Sequence, residues 1–194
     1  SRWNTADMVC SALCAATSTD YATVYLGALR AGVVVAPLAP GSTPEAFARM
    51  LADAGARGLF TGAGSANTVG SAGLGSVPRI SLDGSATGQP LEAWLAAPGT
   101  RPAPVAIEPG WPFNIIYPSG TTGTPKGIVQ SHGMRWAHVM RGAKYGYGPD
   151  TVTLLSTPLY SNTTLVVFFP TLAFGGAVLL MPKFDAAGYL RLAQ

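Results

Sequence analysis

Between Val9 and Thr61 short apolar runs alternate with stretches of helical period, and this succession leaves few folds open. Residues 9–16 form an apolar run that reads as a buried strand. Thr19-Asp20 then offers an N-cap, and Tyr21, Val24, Tyr25, Ala28 and Leu29 recur at helical spacing until Gly32 stops the helix. Residues 33–37, Val-Val-Val-Ala-Pro, have the continuous apolarity of a strand covered on both faces. Thr43, with Pro44 just inside the next turn, opens a second helix that places Phe47, Met50 and Leu51 on one face. Another short strand follows at residues 57–61. The resulting β-α-β-α-β order predicts an α/β fold, with a mostly parallel sheet and flanking helices.

Beyond Thr61 the pattern weakens before it recovers. Residues 62–75 are mostly Gly, Ser and Ala and predict a loop with at most a weak helix. A strand is expected at 79–82 and a helical turn at 91–95. Five prolines, at 98, 102, 104, 109 and 112, mark a linker near 98–112 that crosses the surface or joins two lobes. Strands are then expected at 113–117, 152–155 and 177–181. Helices are expected at about 131–145, from about Thr163 through Pro170, and from Asp185 to the end.

Composition narrows the function classes. Charged residues make up 11% of the 194, against roughly 25% in an average soluble domain. Either other parts of a larger protein cover much of this surface, or the chain carries an Ala/Gly bias; composition leaves both open. The net charge is +3 and the basic residues are scattered singly, which excludes the basic patch of a nucleic-acid binder. The longest nearly apolar stretch, 165–174, is too short to span a bilayer and contains Pro170. The start has neither a charged leader with an apolar run nor an initiator Met, so no signal peptide is expected and an upstream truncation is. Cys10 and Cys14 lack a second Cys/His pair for zinc and are too few for a disulfide framework. They read as buried, reduced thiols, which suits a cytoplasmic protein.

The segment that carries chemistry is Tyr117-Pro-Ser-Gly-Thr-Thr-Gly-Thr-Pro-Lys-Gly127. A strand delivers the chain to Gly120, Gly123 and Gly127, which permit sharp turns and close approach to a ligand. The hydroxyls of Ser119, Thr121, Thr122 and Thr124 add donors beside the backbone amides, and Lys126 adds a positive charge. Together these make a device for holding polyphosphate. It is not a Walker A loop, which needs Ser or Thr directly after the lysine; here Pro125 precedes Lys126 and Gly127 follows.

Residues 119–127 resemble, at every position, the signature loop of the adenylate-forming superfamily: acyl-CoA synthetases, luciferases and peptide-synthetase adenylation domains. Tyr25 to Gly32 with residues 33–37 is similar to that superfamily's early helix and strand, and Thr157-Pro-Leu-Tyr160 to the block that begins its acyl pocket. The resemblance implies that the whole chain, 1–194, is an incomplete N-terminal AMP-binding domain without its C-terminal domain. It implies an acyl-CoA synthetase that converts a carboxylic acid, a fatty acid above all, and ATP to an acyl-adenylate and then to a CoA thioester. An adenylation domain loading a carrier-protein thiol, or a non-catalytic nucleotide-binding module, are the alternatives.

By resemblance Ser119, Gly120, Thr121, Thr122, Gly123, Thr124 and Lys126 hold the ATP phosphates, and Tyr160, Ser161, Asn162 and Thr163 border the acid. ATP, Mg²⁺ and coenzyme A are the implied cofactors of the parent enzyme. The Mg²⁺-binding Glu, the ribose-binding Asp and the adenylation lysine of the family have no counterpart in this chain. No catalytic or metal-ligating residue is therefore expected within it, and the isolated chain is expected to be inactive. The implied partners are the acid, ATP and the rest of the parent protein, with a homo-oligomer possible; no nucleic acid or transmembrane segment is implied. Two departures stand out. Pro118 replaces a small polar residue, and Ser161 stands where many relatives have His beside the carboxylate. His132 and His138 read as surface or capping residues. The apolar run Leu165, Val166, Phe168 and Phe169 reads as core, with an acyl tunnel as the sharper alternative, and on that alternative an extended hydrophobic acid is favoured over a compact charged one.

Overall fold

The computed structural model describes residues 8–118 and 126–194. A central sheet holds seven strands: β1 (Cys10–Cys14), β2 (Val34–Pro37), β3 (Ala56–Thr61), β4 (Arg79–Ser81), β5 (Gln89–Pro90), β6 (Pro112–Ile116) and β7 (Ile128–Ser131). Their order is β5-β4-β3-β1-β2-β6-β7, and every pairing is parallel except β6 with β7. β1 lies between β2 and β3, so the chain adds strands first on one side of β1 and then on the other. In such sheets ligands gather beyond the carboxyl ends of the strands.

Local signals account for the first helices. In α1 (Thr19–Arg30) the Ser18 hydroxyl accepts a bond from the Tyr21 amide at 3.1 Å. Asp20 in the first turn and Arg30 in the last oppose the helix dipole. The cap is thus Ser18 rather than Thr19-Asp20: all three can cap, but Ser18 has the extended backbone (φ −152°, ψ 169°) that the position requires. The helix closes at Ala31, and Gly32 then takes a left-handed φ of 71°. In α2 (Pro44–Asp53) the Thr43 hydroxyl accepts from the Ala46 amide at 3.2 Å, with Pro44 in the first turn. The weak helix in the Gly-rich stretch is α3 (Ala66–Ser71), and the helical turn after β5 is α4 (Leu91–Trp94).

Both faces of the sheet are covered at its centre, which is why β1 and β2 read as nearly unbroken apolar runs. On one face Leu13, Val35 and Phe60 pack against Tyr21, Tyr25 and Leu29 of α1 and against Leu165, Phe168 and Phe169. On the other, Cys10, Ala12, Cys14, Val34 and Leu59 meet Phe47, Met50 and Leu51 of α2 and Val69 of α3. Cys10 and Cys14 are free and buried, and burial pushes both thiols up to about 12.

Residues 98–111 carry no helix or strand, but Pro112, expected in the linker, is buried as the first residue of β6. α5 (His132–Arg141) ends in a 3-10 turn at Gly142–Tyr145, so the expected helix to residue 145 tightens in its last turn. β8 (Val152–Leu155), α6 (Asn162–Ala173) and β9 (Ala177–Leu180) form a second, two-stranded parallel sheet with its crossover helix. α7 (Ala186–Leu192), capped by the Asp185 carboxylate on the Gly188 amide, ends before Gln194. Among the described residues no helix is long and apolar enough to cross a membrane.

Candidate active site

The segment expected to hold phosphate lies in the connection between β6 and β7, whose pairing runs out to Ile116 and Ile128. Ser119, Gly120, Thr121, Thr122, Gly123 and Thr124 lie outside the described residues; Lys126 is described and exposed. The neck of this hairpin is tightly built. The Tyr117 hydroxyl lies 2.7 Å from Asp53 Oδ2 and 3.1 Å from the Met50 carbonyl, so it can donate to either acceptor at the end of α2. Burial first, and then this bond to Asp53, push the Tyr117 hydroxyl far up, so it remains a donor. Across the hairpin Gly127 leaves room for the tyrosine: a Cβ there would stand 3.0 Å from the Tyr117 ring and hydroxyl. Tyr117, just before Pro118, is thus held by a side-chain anchor on α2 that residue patterns alone do not reveal.

The second part of the site is the turn from β8 into α6. Leu159 is buried, and its amide donates to the Thr17 hydroxyl at 3.1 Å, tying the turn to the residues just beyond β1. Thr157 and Thr164 hydroxyls lie 2.7 Å apart and brace the turn against the first helical residues. Tyr160, Ser161 and Asn162 are half-buried and Thr163 is exposed, so the four expected acid-binding residues adjoin at the start of α6. Ser161 is the N-cap, yet its side chain makes no capping bond.

These two parts are joined through a buried polar cluster. Asn162 Oδ1 accepts from Gln130 Nε2 at 3.2 Å and from Arg135 Nη2 at 2.9 Å. Arg135 Nη2 also donates to Gln130 Oε1. Gln130 belongs to β7, the second strand of the β6–β7 hairpin; Arg135 belongs to α5, and Asn162 opens α6. The Arg135 guanidinium lies 5.5 Å from the centre of Phe113 and 5.6 Å from that of Phe169. Beside it, Asn114 Nδ2 donates to the Tyr25 hydroxyl at 2.9 Å. Sequence reasoning missed Gln130 and Arg135. The available signal was spacing, since Arg135 and Val139 are four apart and form the buried stripe of α5.

The histidines stand apart from the α6 turn. His132 packs its ring edge-on against Phe113, 5.0 Å between centres, and burial lowers its pKa. His138 borders a cleft of about 770 Å³ with Arg141, Thr153, Val166 and Val167. Burial, then Arg135 and Arg141, lower the His138 pKa. Of the proposed tunnel residues, Leu165 and Phe168 are core, Val166 opens onto this cleft, and Phe169 borders a second, more apolar cleft of about 560 Å³. Among the described residues no group of three or more His, Cys, Asp or Glu side chains could hold a metal ion.

Residues 7–193 match the AMP-binding enzyme family. The chain belongs to that family. Among curated AMP-binding relatives it is 33% identical over 169 residues to the phosphinothricin tripeptide synthetase PhsB of Streptomyces viridochromogenes, covering 84% of this chain and 13% of that protein. It is 36% identical over 76 residues to a 2-succinylbenzoate–CoA ligase of Bacillus cereus, covering 38% of this chain and 16% of the ligase. The fold is that of the N-terminal domain of FACL13 from Mycobacterium tuberculosis, with a TM-score of 0.81 at 22% identity over 95% of this chain and 46% of that one. It is also that of O-succinylbenzoate coenzyme A synthetase from Bacillus subtilis in complex with AMP, with a TM-score of 0.75 at 18% identity over 94% of this chain and 45% of that one. This AMP-binding chain thus spans a minor part of each relative.

Proposed function

We propose that this chain is the ATP- and acid-binding part of an AMP-forming acid–thiol ligase. In the reaction a carboxylate oxygen of the acid bonds to the α-phosphorus of ATP and pyrophosphate leaves, giving an acyl-adenylate. A thiol then attacks the acyl carbon and AMP departs. Residues 119–126 hold the triphosphate, and Tyr160, Ser161, Asn162 and Thr163 border the acid. The observation that carries this reading is the junction itself: Gln130, on the strand that leaves the phosphate-binding hairpin, is hydrogen-bonded to Asn162 at the acid-binding turn. One hydrogen-bonded frame thereby links the holders of the two reactants, and in-line displacement depends on their relative placement. Mg²⁺ would offset phosphate charge when bound; the described residues hold no cluster of His, Cys, Asp or Glu for it.

The exposed Val152, Phe184 and Leu190 and the two-stranded second sheet support a larger domain built onto this one. Two acceptors fit the thiol step. Coenzyme A is the first, from the resemblance and the CoA-ligase neighbours. A carrier-protein thiol is the second, and the longer match to PhsB, over 84% of the chain, favours it. An aliphatic or extended hydrophobic acid suits the more apolar of the two clefts beside α6, bordered by Phe169 and Leu172.

The test is Lys126→Ala in the full-length protein. Acid-dependent ATP–pyrophosphate exchange should fall roughly ten- to a hundred-fold, the worth of one charge-assisted contact. Thiol transfer from preformed acyl-adenylate should be unchanged, because no triphosphate takes part. Equal loss in both half-reactions would overturn the assignment of Lys126 to the triphosphate.

A further inference from the structure

Arg135 has an unusual set of partners for a buried cation. It is 2% exposed, and its only hydrogen-bonding partners among the described residues are the amide oxygens of Gln130 and Asn162. Nε and Nη1 are buried without a hydrogen-bond partner among the described residues. A guanidinium does not give up its proton in a protein, so this charge persists inside the fold. Burying a charge without a counter-charge is costly, and a cross-link of strand and helix alone would be served better by a carboxylate or by apolar packing. Gln130 has the shape of a glutamate but none of its charge. Held by amides and aromatic rings, with no carboxylate bonded to it among the described residues, this positive charge stands behind Asn162, in the first turn of α6. The amide end of that twelve-residue helix is itself a positive pole.

We propose that Arg135 is a positioning residue for the acid: it fixes Asn162 and, left unneutralised by Gln130, makes the start of α6 electropositive where the substrate carboxylate docks. The inference rests on the acid-activating reading of the site. Its consequence is that charge, rather than packing, at the cluster sets affinity for the acid, while ATP is bound elsewhere on the hairpin.

The decisive variant is Gln130→Glu in the full-length protein. Glutamate fits the same space and pairs with the guanidinium through two bonds, which draws it off Asn162 and cancels its charge. The melting temperature should hold or rise, while KM for the acid in pyrophosphate exchange should rise about tenfold, the worth of one lost charge-assisted contact. KM for ATP should stay within about twofold. A purely structural Arg135 predicts the same gain in stability with KM for the acid unchanged, and that result would overturn the proposal. Arg135→Lys provides the second arm. It keeps the charge but loses the fork, so it should recover most of the acid affinity that Arg135→Met loses. Equal acid KM in the Lys and Met variants would also overturn the proposal. Wild-type protein with no acid-dependent exchange across a panel of carboxylic acids would instead refute the underlying ligase reading, a failure separate from either variant result.

Discussion

Gly127 is a position at which one added methyl should disturb the β6–β7 hairpin strongly. In Gly127→Ala the new Cβ would lie 2.6 Å from Ile115 Cγ2 and 3.0 Å from the Tyr117 ring carbon Cζ and hydroxyl oxygen. Carbon atoms in good contact are about 3.5–4.0 Å apart. Ile115 is 5% exposed within the core under α2, so it cannot yield without moving β6. Tyr117 can yield only by stretching its bond to Asp53. Overpacking of this kind costs about 1–3 kcal/mol. Urea unfolding would read this as a lower midpoint at constant slope. Ile115→Ala supplies the control, because it deletes the clashing methyl. Although that change itself costs about 2–5 kcal/mol, Gly127→Ala should cost distinctly less in its background. Costs that add within about 0.5 kcal/mol would refute the argument, for the two sites would then not be in conflict.

Two further outcomes follow from the same structure. Cys10 and Cys14, buried and pushed up to about 12, should resist alkylation in the native state at neutral pH and react only as fast as the fold opens; rapid native labelling would contradict their placement. His132 and His138 both have lowered pKa values in the fold, so their contribution to stability is complete above the unfolded value of about 6.5 and is lost as pH falls through 6.5 toward the folded values. Unfolding midpoints should therefore drop on acidification below about pH 6.5, and replacing both histidines by Gln should flatten that part of the profile.

What could be read from the residues was what they determine locally. The β1-α1-β2-α2-β3 succession was legible because each end carries its own signal: Thr43-Pro44 opens α2, and Gly32 follows α1 with a positive φ. Strand order was not legible, since the placement of β3 beside β1, on the side away from β2, depends on packing between distant segments. β5 has two residues, too few to show a period. Pro112 counted as linker by composition, yet it starts β6, where its ring is buried. The Gly, Thr and Lys content of the loop is the basis for expecting phosphate binding there, and residues 119–125 of it lie outside the described structure. The Tyr117–Asp53 anchor and the bonds of Asn162 to Gln130 and Arg135 join residues far apart in the chain, and the four-residue spacing of Arg135 and Val139 was the one local signal of the cluster.

The central claim is that the acid attacks the α-phosphate of ATP. The direct measurement uses a carboxylic acid whose carboxylate carries heavy oxygen, incubated with the full-length protein, ATP and a thiol acceptor, with the nucleotide product analysed by mass spectrometry. Acyl-adenylate formation followed by thiol attack leaves one carboxylate oxygen on phosphorus, so the AMP should carry one heavy oxygen per thioester formed. Release of ADP, or of AMP without the label, would contradict the account.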